Sequence, residues 1–149
     1  MVATRRIVLY GTYTKWTVPE DWNNAQNTIE CFGGGGAGTG QSVSGAGAGG
    51  GGGGGAYARK ANFSLTPGQV VPIQIGAGGL VATPVSGKGG DTWFSSAATV
   101  MAKGGDGGNG TTGGSGGTAA GSIGDVAFTG GQGGATTATP INRGGGGGG

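Results

Sequence analysis

The side chains able to do chemistry in this chain are few and widely spaced. Lys88 stands in Ser86-Gly87-Lys88-Gly89, a string that looks superficially like a loop cradling a nucleotide phosphate. The Ser or Thr that should follow the lysine is absent, and no strand–loop–helix pattern surrounds it. Cys31 is a potential thiolate nucleophile, but it sits in the alternating segment 28–32, where it reads as a small packing residue. A single cysteine forms no intrachain disulfide and cannot build a four-ligand zinc site. The absence of histidine removes the usual general base and the commonest metal ligand. Glu20, Asp21, Glu30, Asp91, Asp106 and Asp125 are dispersed. The basic residues form only two adjacent pairs, Arg5-Arg6 and Arg59-Lys60, which make no nucleic-acid-binding stripe. The expectation is a protein that is not an enzyme, takes no cofactor or metal, and binds no nucleic acid.

The elements that must hold these residues are unusual. Of 149 residues 44 are glycine, roughly four times the usual ~7%. Large aliphatic side chains and phenylalanine are too scarce to fill an ordinary core for this length. Charged residues make up only 9% with a net charge of +2, so the high-charge signature of disorder is missing. Ordering this much glycine costs more backbone entropy than ordering any other residue, so something denser than side-chain packing is required.

Composition changes abruptly at Gly33, before which Gly11 is the only glycine. Residues 1–32 read as β-rich: a short run at 7–10, partial strand character over 13–18, a polar loop at 20–27 with Trp22 folded back as a plug, and a strand at 28–32. Residues 33–149 read as glycine-rich, interrupted by a β-hairpin at 56–75. In that hairpin Tyr57, Phe63 and Leu65 share one strand face, and Thr66-Pro67-Gly68-Gln69 carries the type II turn signal. Pro72 places the returning strand at an edge or a bulge. The two regions are expected to form one compact unit, with 1–32 as a docking element.

The glycine tracts have a period of three. Lys103, Asp106, Asn109, Thr112, Ser115 and Thr118 recur at every third position, with nearly all glycine between them. Three residues per turn is polyproline-II geometry, not helix or strand. Collagen also has this period but needs abundant proline, and only five prolines occur. The expected fold is therefore all-β and irregular, without α-helix: short antiparallel strands joined to packed polyglycine-II helices whose backbone groups pair between helices. Gly104, Gly107, Gly110, Gly113, Gly116, Gly130 and Gly133 are the expected helix glycines. Asp91-Thr92-Trp93-Phe94 is echoed 34 residues later by Asp125-Val126-Ala127-Phe128. Trp93, Phe94 and Phe128 are accordingly expected to cap the ends of the bundle.

The order of motifs resembles a known family. Trp16-Thr17-Val18-Pro19 is followed by Ile29-Glu30-Cys31-Phe32 entering Gly33-Gly34-Gly35-Gly36. Then come Gly55-Ala56-Tyr57-Ala58, Leu65-Thr66-Pro67-Gly68, Ile73-Gln74-Ile75-Gly76 and the Gly-Gly-X runs. This is similar to the glycine-rich domain of bacteriophage tail fibres, tail-tip proteins and related virion appendages. The resemblance implies a structural virion component that presents loops to a bacterial surface, where a glycan or an outer-membrane protein would be the receptor. It also implies self-association, with a trimer as one form, and contacts with other virion proteins. No signal-peptide pattern is seen at the N-terminus and no apolar run is long enough to span a membrane. The expectation is assembly into virions in the host cytoplasm, without membrane insertion. The expected exposed loops are 80–86, 95–99, 118–123 and 136–143, with Thr83, Ser86, Ser95, Thr118, Thr136 and Thr137 as receptor-facing residues. Two other readings remain: a self-assembling filament or matrix protein, and an ice-binding protein using the small polar X residues.

Overall fold

The alternation Thr-Ile-Glu-Cys-Phe forms β2 (Thr28–Phe32), which buries Ile29 and Cys31 and exposes the three residues between and beside them. This comes from a computed structural model of the chain, which describes residues 5–40, 49–82, 84–136 and 147–148. β2 pairs antiparallel with β3 (Tyr57–Ala61), and β3 pairs on its other side with β7 (Val126–Phe128). A second antiparallel sheet joins β1 (Lys15–Thr17), β4 (Val70–Gln74), β5 (Thr92–Phe94) and β6 (Val100–Ala102), in that order. The fold is all-β, with no helix among the described residues. The two sheets enclose a small core around Ile29, Cys31, Val71, Ile73, Phe94 and Val100. Trp22 packs on this core as the expected plug, its ring edge-on to Trp16 at 5.6 Å.

The expected hairpin at 56–75 does not form, because β3 and β4 belong to different sheets. Its turn is present: Gln69 N–H donates to Thr66 O at 3.0 Å, and Gly68 takes a φ of 77°, as a type II turn requires. The strand before it ends early at Asn62, whose φ of 52° turns the chain. Beyond that point the side chain of Asn27 imitates a neighbouring strand. Its Oδ1 accepts from Phe63 N–H at 2.9 Å and its Nδ2 donates to Phe63 O at 3.1 Å. Asn24 Oδ1 accepts from Leu65 N–H in the same way. These amides carry residues 63–65 from one sheet to the other. Tyr57 therefore does not share a face with Phe63 and Leu65.

Two further expectations are corrected. Residues 7–10 form no strand. Pro72 lies in β4, which is flanked on both sides and is not an edge. Proline is tolerated because β5 pairs with β4 only through Phe94↔Ile73 and Trp93↔Gln74. At Ser95, with a φ of 66°, the chain turns away after donating its N–H to Pro72 O. No partner is left waiting for the N–H that proline lacks.

Strands and glycine tracts are continuous. β2 runs into tract 33–40, tract 49–56 runs into β3, β6 runs into tract 103–109, and β7 runs into tract 129–136. The tracts bond to one another through backbone groups at every third residue. Gly33, Gly36 and Thr39 donate to Ala56, Gly53 and Gly50. Gly50, Gly53 and Ala56 donate in turn to Gly110, Asp106 and Lys103. Gly51 and Gly54 donate to Gly134 and Gly131, and accept from Gly114 and Gly117. Tract 49–56 thus has neighbours on four sides, plus a fifth contact where Gly148 donates to Gly52. Residues 50–54 are all buried, which explains why this tract alone runs through seven consecutive glycines with no X residue.

The run 103–118 is not one rod. It reverses at Asn109 and Thr112, which exchange N–H···O bonds of 3.0 and 2.9 Å. Gly110 at the first corner has a φ of 57°, as a type II′ turn requires. Gly110 is therefore a turn glycine rather than a helix glycine.

Candidate functional site

Side chains pack only a small part of this molecule, so the functional architecture begins with the backbone lattice. Among the described glycines only Gly11, Gly68 and Gly110 have positive φ. At most positions in the tracts, then, glycine is required for space and not for an unusual dihedral. A methyl group at Gly104, Gly107, Gly113, Gly116, Gly130 or Gly133 would overlap the backbone carbonyl of Gly89, Ser86, Gly133, Gly130, Gly54 or Gly51 respectively. The X residues face the other way: Asp106, Asn109, Thr112, Ser115 and Thr118 are exposed and Lys103 is half-buried. Tracts 103–109 and 112–118 run antiparallel, with Asp106 N–H donating to Ser115 O at 2.8 Å, so their X residues stand side by side.

The two echoed Asp segments perform the same local task. Asp91, just ahead of β5, receives Lys103 Nζ on one carboxylate oxygen and Gly104 N–H on the other. Asp125, just ahead of β7, receives Ala61 N–H and Lys60 Nζ. Burial raises the Asp91 pKa, but Lys103 and the Gly104 amide outweigh it and hold the carboxyl below its ordinary value. The Ala61 amide is the main cause of the lowered Asp125 pKa. Both carboxylates are thus fixed as anions that tie a strand start to a neighbouring segment of the same chain. Among the described residues no group of three or more His, Cys, Asp or Glu is placed to hold a metal. Cys31 is buried and unpaired, and burial pushes its thiol up to about 11.

The aromatic residues expected as bundle caps are separated by the fold. Phe94 is in the core between the sheets, with rings of Trp16 and Phe63 edge-on to it at 5.6 and 6.2 Å. Trp93, on the opposite face of β5, is half-buried. It lines a cleft of about 200 Å³ together with Trp16 and Trp22. Phe128 is 63% exposed on the outer face of the three-stranded sheet. None of the three lies across the end of the glycine lattice remote from the strands.

Of the expected loops, residues 137–143 lie outside the described residues, and the rest fall into two groups at opposite ends. Residues 95–99 join β5 to β6, and 118–123 fold back on β6 through the Met101–Ile123 bridge. Both are therefore at the strand end. At the far end, loop 80–86 meets the 109–112 turn: Gly110 donates to Pro84 O, and Val85 bridges Asn109. Thr136 joins them, donating its N–H to Thr111 O at 2.8 Å. Thr118 is exposed, with its Oγ1 accepting from Gly121 N–H. Ser95 is half-buried at the end of β5. Ser86 is only 6% exposed, its hydroxyl donating to Gly38 O or Ala82 O and accepting from Ala82 N–H. It braces the loop from inside and cannot face a receptor. Thr83 and Thr137 lie outside the described residues.

Sequence reasoning missed what the far loop presents. Leu80, Val81 and Val85 are 82%, 68% and 54% exposed, so its outer surface is apolar and not small and polar. It also missed a row of rings on the outer sheet face, where Phe32, Tyr57 and Phe128 are direct cross-strand neighbours. Only the unforeseen pairing of β3 with β2 and β7 brings the rings together. A glycine-rich domain model matches residues 7–149, and the chain belongs to that glycine-rich domain family. Comparison with curated proteins gives no match.

Proposed function

We propose that this glycine-rich domain protein is a structural component of a bacteriophage virion fibre or tail appendage, and that its far loops attach the particle to a bacterial surface. The observation that carries this reading is the three-residue hydrogen-bond spacing around a buried all-glycine tract. That spacing fits a polyglycine-II bundle, in which each chain turns once every three residues and rises about 3.1 Å per residue. Such a bundle is thin and stiff, and needs neither a disulfide nor a large core. Its strand end provides a packed base, and its far end exposes Leu80, Val81 and Val85. Exposed apolar residues clustered at a tip suit contact with a receptor, either an outer-membrane protein or a surface glycan. In this reading the chain has no catalytic role, and it acts on the virion with copies of itself and other virion proteins.

The test is binding of labelled protein to a panel of bacterial strains, with the corresponding phage as competitor. Saturable binding to a susceptible strain, blockage of phage adsorption, and loss of both in Leu80→Ser/Val81→Ser are expected. Folded protein that binds no strain and is undetected on virions by antibody labelling would overturn the proposal. Concentration-dependent fibres formed by such protein would favour a filament or matrix role instead.

A further inference from the structure

The outer face of the β2-β3-β7 sheet carries a row of three aromatic rings, with Phe32 and Phe128 exposed and Tyr57 between them half-buried. Phe32 pairs with Tyr57 and Tyr57 with Phe128, giving centroid separations of 5.1 and 6.0 Å. Phe32 and Phe128 are 62% and 63% exposed. No described element covers them. The backbone beneath is stiff, since the opposite face of the same strands carries the core residues Ile29, Cys31 and Ala58. Two phenylalanines are thus left in water, and no packing requirement among the described residues accounts for it.

The next cross-strand row on the same face is Glu30, Arg59 and Val126, two charged residues and one half-buried valine. Glu30 lies opposite Arg59 in register, and the Glu30 carboxylate accepts from Tyr57 Oη at 2.8 Å. Arg59 is exposed, and its guanidinium makes no hydrogen bond or ion pair among the described residues. A row of rings, with Phe32 tilted 57° and Phe128 23° from the plane of Tyr57, is thus bordered by a carboxylate, a phenol and a fork of N–H donors. The size of the face limits its occupant. Three strands of at most five residues make a footprint of about 10 by 17 Å, on the order of 200 Å². A stable protein–protein interface takes about 800 Å² from each partner, so this face is too small to hold a second copy by itself.

We propose that the Phe32–Tyr57–Phe128 row is a glycan-binding platform, separate from the apolar tip at the far end of the bundle. A sugar ring presents C–H groups of slight positive charge on one face, which match the negative faces of aromatic rings. Its equatorial hydroxyls project sideways, where Glu30 accepts hydrogen bonds and Arg59 donates them. The row runs across the strands, so an oligosaccharide lies perpendicular to them, with its sugars against the exposed Phe32 and Phe128 rings.

Purified protein is tested for retention on immobilised bacterial O-polysaccharides, peptidoglycan fragments and β-linked glucose and N-acetylglucosamine chains. Retention on at least one is expected. Phe32→Ala and Phe128→Ala should each weaken it at least tenfold with unchanged melting, Phe128→Tyr should preserve it, and Arg59→Ala should weaken it less. Leu80→Ser/Val81→Ser should leave it unaltered, so failure of the tip reading and failure of this one are told apart. No retention on any glycan, or retention indifferent to both phenylalanine changes, would overturn the platform. So would self-association abolished by Phe128→Ala, which would give the face to another copy.

Discussion

Gly107 and Ser86 stand so close across neighbouring tracts that a methyl group on Gly107 would overlap the Ser86 carbonyl. The same relation joins Gly116 to Gly130. Gly107→Ala and Gly116→Ala should therefore each cost about 3 kcal/mol or more. At roughly 2–4 °C per kcal/mol for a chain of this size, thermal melting should fall by about 6–12 °C. Unchanged melting in both would show that the tracts are not packed as described.

Gly35 and Gly78 provide the contrast within the same lattice. A methyl group on either would meet its nearest carbonyl only at 3.6 or 3.8 Å, and neither has positive φ. Gly35→Ala and Gly78→Ala should be neutral or stabilising by about 0.4–1 kcal/mol, because alanine restricts the unfolded chain. Loss of stability as large as that of Gly107→Ala, measured by denaturant titration, would contradict the geometry.

Much of this lattice could be read before any coordinates. The Gly-Gly-X phase marked which residues face water, and Thr-Ile-Glu-Cys-Phe marked a strand, since both are local repeats of a single backbone geometry. What was illegible depends on partners distant in sequence. Nothing near 57–61 says that its neighbours are 28–32 and 126–128, and the two asparagines that divert 63–65 sit almost forty residues upstream. The reversal at 109–112 hid inside a Gly-Gly-X rhythm whose single break is Thr111, because the same glycine serves a straight tract or a turn. The aromatic row inherits this blindness, having no expression along the chain.

Asp91 predicts an acid sensitivity. Its folded pKa lies below the ordinary value, so its contribution is complete above the unfolded carboxyl range near pH 4. It is lost as pH falls through the lower, folded value. Asp91→Asn should destabilise the protein by about 1–2 kcal/mol at pH 7. The difference between the two proteins should shrink progressively in melting curves taken as pH falls below about 4. A gap unchanged across that acid range would mean the carboxylate charge is irrelevant.

Cys31 gives a probe of opening at the strand end. Its thiol is buried, with a pKa pushed up to about 11, so little reactive thiolate exists at pH 8. Aromatic disulfide reagents should modify the folded protein far more slowly than the unfolded chain. The folded pKa is raised, so stability from this group is full below the unfolded value and declines as pH rises from about 9 toward 11. Cys31→Ser should flatten that alkaline decline. Equal labelling rates in water and in denaturant would indicate that the sheets part readily.

Ser95 should be improved by glycine. Its φ of 66° lies where a side chain costs about 1–2 kcal/mol. Ser95→Gly should thus raise stability by up to about 1 kcal/mol, after the greater unfolded-chain freedom of glycine is offset. A lower midpoint in urea would show that the serine side chain makes a stabilising contact there.

Hydrogen bonds recurring at every third residue also define a unit of growth. Adding one Gly-Gly-X triplet to each arm of the hairpin 103–118 would restore every side chain to its former facing. With the 3.1 Å rise of the polyglycine-II geometry proposed above, it would extend that pair by about 9 Å. One added residue would instead swing a side chain into a neighbouring backbone. Changes of length in this chain are therefore quantised: whole triplets inserted in adjoining tracts preserve the lattice, and the reach of the tip can be altered in steps while the base stays untouched.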